Sequence, residues 1–250
     1  MAADLHLVDY GFWVNGVTRE SGLPLSSVAL NQAAPEIPKL SFLPLMQRRR
    51  LSSLGKIALS TLYPLFKQYA PAGDLDVAVV FASRWGDIAL TVRSLEELST
   101  EKSLSPTAFS TSVHNGIGGL FSLFTGFQGH VTSLAAAENT ISAALTEAQA
   151  LLSEFSLVFV CLYDDRTPEV FKPYHEKAQP AFAVSLVLTS DSSVTGAKGA
   201  WVRLAPGSAV DHSETLTDFL QFVAGKAPAF ATRQATWRWR PPIEAPDACV

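Results

Sequence analysis

The apolar positions change their spacing several times along the chain, and each spacing predicts a type of element. Apolar runs at residues 77–82 and 157–163 are typical of strands that are buried on both faces. Residues 181–188, in which Ser185 is the one polar residue, predict a further strand. Residues 46–70 and 138–153 instead carry apolar side chains at spacings of three and four, which predicts amphipathic helices. This alternation predicts an α/β fold, with helices layered around a mainly parallel sheet.

Weaker patterns complete this picture. They predict a strand over residues 5–14 before a turn at Asn15-Gly16, helices over 87–98, 106–127 and 213–224, and a short strand over 201–204. Residues 228–250 show no regular spacing, so we expect an irregular tail there. Since no internal repeat divides the chain, we expect residues 1–250 to form a single domain.

The composition changes the picture in one respect. Hydrophobic residues make up 48% of the chain and charged residues 17%, whereas a typical domain has about 25% charged residues. A folded chain with so few charges has difficulty covering itself, which favours a buried partner interface. The apolar runs fall short of the roughly 20 residues of a membrane helix, so no membrane span is expected.

Charge and cysteine content exclude several functions. The net charge of −4 leaves little with which to neutralise phosphates, so no nucleic-acid partner is expected. Cys161 and Cys249 form no disulfide framework or metal cluster. The first residues lack a basic segment of the kind that opens a signal peptide, which favours a cytoplasmic protein.

Motifs for cofactor chemistry are missing from the sequence. It contains no phosphate-binding loop, no dinucleotide fingerprint, no G-x-S-x-G elbow and no H-x-x-x-H pair. Cys161 lies within an apolar strand, where a small buried hydrophobic residue is the favoured interpretation over a nucleophile. We therefore expect neither a cofactor nor a metal ion.

Three segments resemble a known family. They are PLMQRRRLSSLGKIAL at 44–59, VVFASRWGDIALT at 79–91 and LSPTAFSTSVHNGIGGLFSLFTG at 104–126, followed by HVTSLAAAENTISAALTEA at 130–148. Over about residues 5–190 the chain resembles the N-terminal half of a β-ketoacyl synthase. Within that family it is similar to the chain-length-factor proteins of bacterial aryl polyene and related type II fatty acid and polyketide clusters.

The resemblance implies a thiolase-like fold, in which two similar α/β halves stack as layers. This chain has the length of one half with additions. A half-fold would leave a helix layer without its usual cover, which agrees with the apolar composition.

The resemblance also implies where a ketosynthase would carry its chemistry. A family cysteine at a helix amino end accepts the acyl chain, and two histidines assist the condensation. The cysteine region corresponds here to Leu134, Ala135, Ala136 and Ala137, and Ser133 is the nearest hydroxyl. The family histidine motifs, H-G-T and N-H-x-x-G, are missing too. The sequence therefore indicates no catalytic ketosynthase site.

A set of residues around this region is the candidate pocket or interface. For His114 and Asn115 a structural, hydrogen-bonded role is the favoured alternative, and for Glu138 it is capping of the following helix with Asn139. The glycines favour close packing across a subunit interface over a ligand loop. The candidates are His114, Asn115, Gly116, Gly118, Gly119, Phe121, Phe124 and Glu138.

Two functions of different classes follow from these observations. The first is a non-catalytic subunit that forms a heterodimer with a full-length ketosynthase, with an acyl carrier protein as a transient partner. The second is a small enzyme acting on acyl-carrier thioesters through Ser133, His114 and Glu138, as a hydrolase, decarboxylase or residual acyltransferase. A free-standing small-molecule binding module is a third, weaker hypothesis. In ketosynthase dimers the segment before the nucleophile, here residues 110–134, lies along the two-fold axis.

Overall fold

The computed structural model describes residues 4–21, 36–70, 76–101, 103, 105–174, 180–193, 200–204, 215–233 and 235–240. Within them the strands are β1 (Leu5–Val14), β2 (Val17–Thr18), β3 (Val77–Ala82), β4 (His130–Leu134), β5 (Leu157–Asp164), β6 (Phe182–Thr189), β7 (Ala200–Leu204), β8 (Ala229–Ala231) and β9 (Thr236–Arg240). The helices are α1 (Leu45–Arg50), α2 (Ser53–Tyr69), α3 (Ile88–Glu101), α4 (Pro106–Ser112), α5 (Gly116–Thr125), α6 (Thr140–Leu151) and α7 (Leu216–Val223).

All these strands belong to one sheet, in the order β4-β3-β5-β6-β1-β7-β9-β8, with β2 paired to β1. The α/β prediction is confirmed, but the sheet is parallel only where β3 pairs with β4 and β5. The other described pairings are antiparallel. A parallel return needs a long crossover, usually a helix, and α6 supplies one between β4 and β5. Between β5 and β6 the described chain forms only a short 3₁₀ helix, Glu169–Tyr174.

Helices cover both faces of the sheet. Every residue of β3 is buried, and alternate side chains point to opposite faces. Val77, Val79 and Phe81 belong to the apolar cluster that includes α2 and α5, whereas Ala78 and Val80 lie on the face that α6 covers. A strand buried on both sides reads as an uninterrupted apolar run, which is why the sequence alone located it.

Helix α2 is the best covered helix on its face of the sheet. Its amino end is capped by Ser52, whose hydroxyl accepts a hydrogen bond from the Gly55 amide at 3.0 Å. At least half of the residues of α2 are buried, and the helix packs against β1, β5 and β6. Leu40 and Leu43 from the preceding loop are also buried in this cluster. The helix layer that the half-fold was expected to leave uncovered is therefore not α2.

Two sequence predictions need correction. The helix predicted over 106–127 is two helices, α4 and α5, because the chain turns at residues 113–115. The tail predicted to be irregular contains β8 and β9, and Trp237 of β9 is fully buried. The pairing of β9 with β7 buries this indole, a long-range contact that local spacing does not reveal. Residues 241–250 lie outside the described part of the chain.

A candidate functional site at the bend between β4 and α6

The chain makes a tight bend where β4 ends and α6 begins. Ala137 has a φ of 50°, a left-handed conformation that is uncommon for residues other than glycine. The Thr140 hydroxyl secures the bend, since it accepts from the Ala136 amide at 3.1 Å and donates to the Ala137 carbonyl at 2.8 Å. The bend places Ala137 at the amino end of the helical segment, where partial positive charge gathers.

The side chains of residues 134–137 at this bend are purely hydrocarbon. A helix amino end stabilises a thiolate or another anion, and this is the environment that lowers the pKa of a reactive cysteine. Leu134, Ala135, Ala136 and Ala137 supply no sulfur, oxygen or nitrogen in their side chains. These four side chains therefore offer no group that could accept an acyl chain.

A buried carboxylate fixes the loop that follows β3. Asp164, at the end of β5, accepts hydrogen bonds from the Ser83 hydroxyl at 2.6 Å and from the amides of Arg84 and Trp85 at 3.1 and 3.3 Å. The Ser83 hydroxyl in turn accepts from the Gly86 amide at 2.8 Å. Burial raises the pKa of Asp164 to about 6, although these hydrogen bonds act to lower it.

His114 is attached to this loop. Its Nε2 lies 2.9 Å from the Ser83 carbonyl oxygen, so this nitrogen carries the hydrogen and donates it. Gly86 adopts a φ of +61°, and a Cβ at this glycine would lie 3.2 Å from the His114 ring. These contacts support the structural interpretation of His114 as a hydrogen-bonded residue that joins α4 and α5 to the end of β3.

Glu138 forms ion pairs, and the expected capping bond is not found. One carboxylate oxygen lies 3.3 Å from Arg84, and the other lies 3.9 Å from Arg233. Asn139 occupies the cap position of α6 without a capping hydrogen bond from its side chain. The Arg84–Glu138 pair connects the loop after β3 to the bend after β4. Glu138 does lie in the first turn of the helical segment, where a negative charge is favourable, whereas Asn139 makes no side-chain cap.

A cavity of about 570 Å³ opens between α5 and β4 beside the bend. The Ser133 hydroxyl is buried and has no hydrogen-bond partner among the described residues. Ser133 and His114 both border the cavity, but they are not hydrogen-bonded to each other. The cavity is lined by His114, Asn115, Gly118, Gly119, Ser122, Val131, Ser133 and Ala135.

The aromatic candidates of α5 lie mainly against the core. Phe121 is fully buried, with its ring 4.9 Å from that of Phe66 and 5.6 Å from that of Phe81. It therefore supplies no area to a pocket or to a surface of this chain, which corrects its assignment. Phe124 is partly buried and packs against the same cluster.

The candidate glycines have three different surroundings. A Cβ at Gly116 would lie 2.7 Å from the Thr111 carbonyl oxygen, so this glycine permits the sharp junction of α4 and α5. A Cβ at Gly118 would lie 3.3 Å from side-chain atoms of Phe81 and Val131. Gly119 faces open space. The close approach at Gly116 and Gly118 is within this chain, which corrects their interpretation as contacts across a subunit interface.

The sequence did not identify the residues that hold the site together. Asp164, Ser83 and Thr140 act through hydrogen bonds between segments that are far apart in the sequence. The acidic pair Asp164-Asp165 directly after a buried strand was an available signal. It indicates the end of a strand, and the partners of the carboxylate become visible only in the fold.

The sheet is covered by helices on both faces, and at the end of β4 a strained bend leads into α6. This architecture is the thiolase-like ketosynthase fold. The family profile described as "Beta-ketoacyl synthase, N-terminal domain" matches residues 25–240. The chain belongs to this family.

Several solved structures share the fold. One is described as "Ketosynthase (ApeO) in Complex with its Chain Length Factor (ApeC) from Xenorhabdus doucetiae"; the similarity has a TM-score of 0.72 at 23% identity and covers 94% of this chain and 98% of the matched chain. "The ishigamide ketosynthase/chain length factor" matches with a TM-score of 0.62 at 12% identity, over 81% of this chain and 67% of that chain.

A third solved structure is described as "AntDE:AntF (apo): type II PKS acyl-carrier protein in complex with its ketosynthase bound to the hexaketide". It matches with a TM-score of 0.63 at 13% identity, over 82% of this chain and 70% of that chain. The comparison with curated proteins gave no match. At these identities the solved structures establish the fold.

Proposed function

We propose that this chain is a non-catalytic subunit of the chain-length-factor type. It pairs with an active ketosynthase in type II fatty acid or polyketide assembly, including aryl polyene formation. The observation that carries this proposal is the bend at Ala137, which has a left-handed backbone at a helix amino end and carries only a methyl group. Solved complexes of a ketosynthase with its chain length factor have the same fold, which supports the pairing.

An unpaired strand edge supports a partner next to β4. Among the described strands β4 pairs with β3 alone and ends the sheet. Its other edge presents backbone N–H and C=O groups that can pair with a second chain. The residues of β4 are partly or fully exposed, in contrast to the fully buried β3.

Exposed apolar side chains on the neighbouring helices extend this surface. We define the partner surface as the free edge of β4, Gly119, and the exposed large apolar side chains of α3, α4, α5 and the turn between α4 and α5. Successive helices of this group contact one another, and α5 contacts β4. The apolar members are Leu95, Leu98, Phe109, Val113 and Leu123, whose exposed fractions run from 43% to 60%.

The remaining features of the proposal follow from this pairing. The whole chain acts as one domain, and the carrier protein visits the pair transiently through the ketosynthase. The proposal includes a cytoplasmic location. No described helix has the length and apolar character to cross a bilayer.

Gly119→Leu tests the proposed pairing. A Cβ at this position meets open space within the chain, and leucine favours a helix over glycine by up to about 1 kcal/mol. The variant should therefore fold at least as well as the wild type, while the added side chain blocks the partner. Co-expression with the cognate ketosynthase, followed by size exclusion with light scattering, should show a heterodimer for the wild type and little or none for the variant.

Ala150→Leu is the matched control for this experiment. Ala150 is an exposed helical position on α6, on the opposite face of the sheet. This variant should keep the heterodimer. If the wild-type chain is a stable monomer that ignores the ketosynthase, the proposed function is wrong. If Gly119→Leu co-purifies at wild-type yield, the partner lies elsewhere.

An assay of the isolated chain tests the absence of catalysis. Incubation with acyl-carrier and malonyl-carrier thioesters, read by mass spectrometry, should give no condensation product above the level without protein. Ala137→Cys should not restore condensation, because the family histidine motifs are missing from the sequence. Product formed by either protein would contradict the proposal.

The alternative enzyme has weaker support from the geometry. His114 Nε2 donates its hydrogen bond to the Ser83 carbonyl, and Glu138 forms an ion pair with Arg84. No hydrogen bond joins Ser133 to a base among the described residues. The same mass-spectrometric assay covers this alternative: thioester hydrolysis or decarboxylation that disappears in Ser133→Ala would establish it in place of the proposal.

A further inference from the structure

A second cavity, of about 390 Å³, lies away from the bend and is bordered by the start of α2, by α3 and by α5. Its volume is at the lower end of the range typical of small-molecule sites. Four cationic side chains line it: Arg49 and Arg50 from α1, Lys56 from α2 and Arg93 from α3. We call this space the cationic cavity.

These four cations have no ion-pair partner in the part of the chain that the structure describes. Some other described arginines do have one: Arg19 pairs with Asp9, and Arg240 pairs with Asp4. Since the chain as a whole carries a net charge of −4, the unpaired cations do not reflect a general excess of positive charge. Like charges around one space repel one another, and an anion placed between them relieves that repulsion.

The amino end of α2 adds to this preference. Ser52, Ser53 and Leu54 border the cavity, and α2 is 17 residues long. The first amides of a helix lack partners within the helix and carry partial positive charge. Phosphate groups bind readily in such a setting when cationic side chains accompany it.

The inner end of the cavity is acidic. Asp87 is buried and accepts a hydrogen bond from the Leu90 amide, while Asp165 accepts one from the Arg166 amide. Burial raises the pKa of Asp165, and the neighbouring Asp87 raises it further. The exposed arginines therefore mark the mouth of the cavity, and the two carboxyl groups mark its inner end. A simple anion fits only the mouth.

We propose that the cationic cavity binds a small phosphorylated hydroxy compound. Its phosphate contacts Arg49, Arg50 and the start of α2, and its hydroxyl groups donate hydrogen bonds to Asp87 and Asp165. This site is separate from the cavity beside Ala137, and its function does not depend on the pairing with a ketosynthase.

Titration calorimetry at low salt tests the site with four probes. The full chain, alone or in its co-purified complex, is titrated with glycerol 3-phosphate, inorganic phosphate, glycerol and succinate. Glycerol 3-phosphate should bind best and inorganic phosphate more weakly, with no heat from glycerol or succinate. Equal binding of succinate would reduce the site to a nonspecific anion site and overturn the proposal, as would no binding of either phosphate.

Variants locate the binding. The double variant Arg49→Gln/Arg50→Gln should lower the affinity for glycerol 3-phosphate by about tenfold or more, because charge-assisted hydrogen bonds are lost. Arg238→Gln, an exposed position on β9, should change the affinity by less than about twofold. Asp165→Asn should strengthen the binding of inorganic phosphate and reduce the difference in affinity between inorganic phosphate and glycerol 3-phosphate. Equal losses in the double variant and in Arg238→Gln would refute the location.

Discussion

Helix α2 and the helices α3 to α5 differ in how they use their apolar side chains. In α2 the apolar face packs against β1, β5 and β6, and Leu40 and Leu43 belong to the same buried cluster. In α3 only Ile88 and Ser94 are buried among its described positions, and Leu95 and Leu98 remain exposed. Both helices carry apolar residues at helical spacing, so the sequence pattern does not distinguish them.

This difference separates stability from recognition. Burying a leucine fully contributes about 1.5–3 kcal/mol, and α2 gains this within the chain. The exposed leucines of α3 and the apolar side chains of α4 and α5 contribute little to the isolated fold. They contribute to the free energy of binding when a partner covers them, which is the expected property of an interface.

The largest expected effect comes from truncating one leucine in each region. Leu62→Ala in α2 should lower the free energy of unfolding by about 2–5 kcal/mol, because Leu62 is fully buried. Leu95→Ala should change it by less than about 0.5 kcal/mol. Urea denaturation followed by circular dichroism measures both. Equal losses would show that α3 is as well packed as α2 and would remove the comparison.

The loop that anchors the second region should give a pH-dependent effect. Burial raises the pKa of Asp164 to about 6, so the folded state binds this proton more tightly than the unfolded state. The contribution of Asp164 is fully present below its unfolded pKa and is lost as the pH rises through about 6. Between pH 7 and pH 4 a shift of this size changes the free energy of unfolding by about 2 kcal/mol.

Asp164→Asn isolates this contribution, because an amide does not titrate. The difference in free energy of unfolding between wild type and variant should grow in favour of the wild type as the pH falls from 7 to 4. Urea denaturation at several pH values measures it. Parallel curves for the two proteins would show that Asp164 keeps an ordinary pKa in the fold.

Two adjacent glycines sharpen the comparison within α5. Gly118→Leu should destabilise the chain by about 1–3 kcal/mol, because the new side chain meets Phe81 and Val131. Gly119→Leu should leave the chain as stable as the wild type or more so. Thermal unfolding of the two purified variants separates them. A stable Gly118→Leu protein would mean that α5 is not fixed against β3 and β4.

The smallest effect is expected at the ion pair beside the bend. Glu138 is largely exposed, and its distance to Arg84 is 3.3 Å. Such a pair contributes about 0–1 kcal/mol, and salt screens it. Glu138→Gln should therefore lower the free energy of unfolding by less than about 1 kcal/mol, with a smaller loss at high salt. A larger, salt-independent loss would indicate a different role for Glu138.

Part of the candidate site could be predicted from the sequence. The methyl groups at the bend, the position of His114 near it and the lack of histidine motifs are all readable in order along the chain. The roles of Phe121 and Gly118 were not, because both were assigned to a surface and both lie against Phe81. Helical spacing shows that a residue is apolar on one face, but it does not say which neighbour covers that face.

The sequence by itself determined the elements with strong local patterns. The run of buried residues in β3 and the spacing in α2 and α6 identified these elements, because hydrophobic period and secondary structure are directly coupled. The tertiary structure decided what depends on distant segments. It paired β6 antiparallel to β5 and brought Asp164 to the loop after β3. It also buried Phe121 and left Gly119 open. These outcomes depend on long-range packing, which a local pattern does not encode.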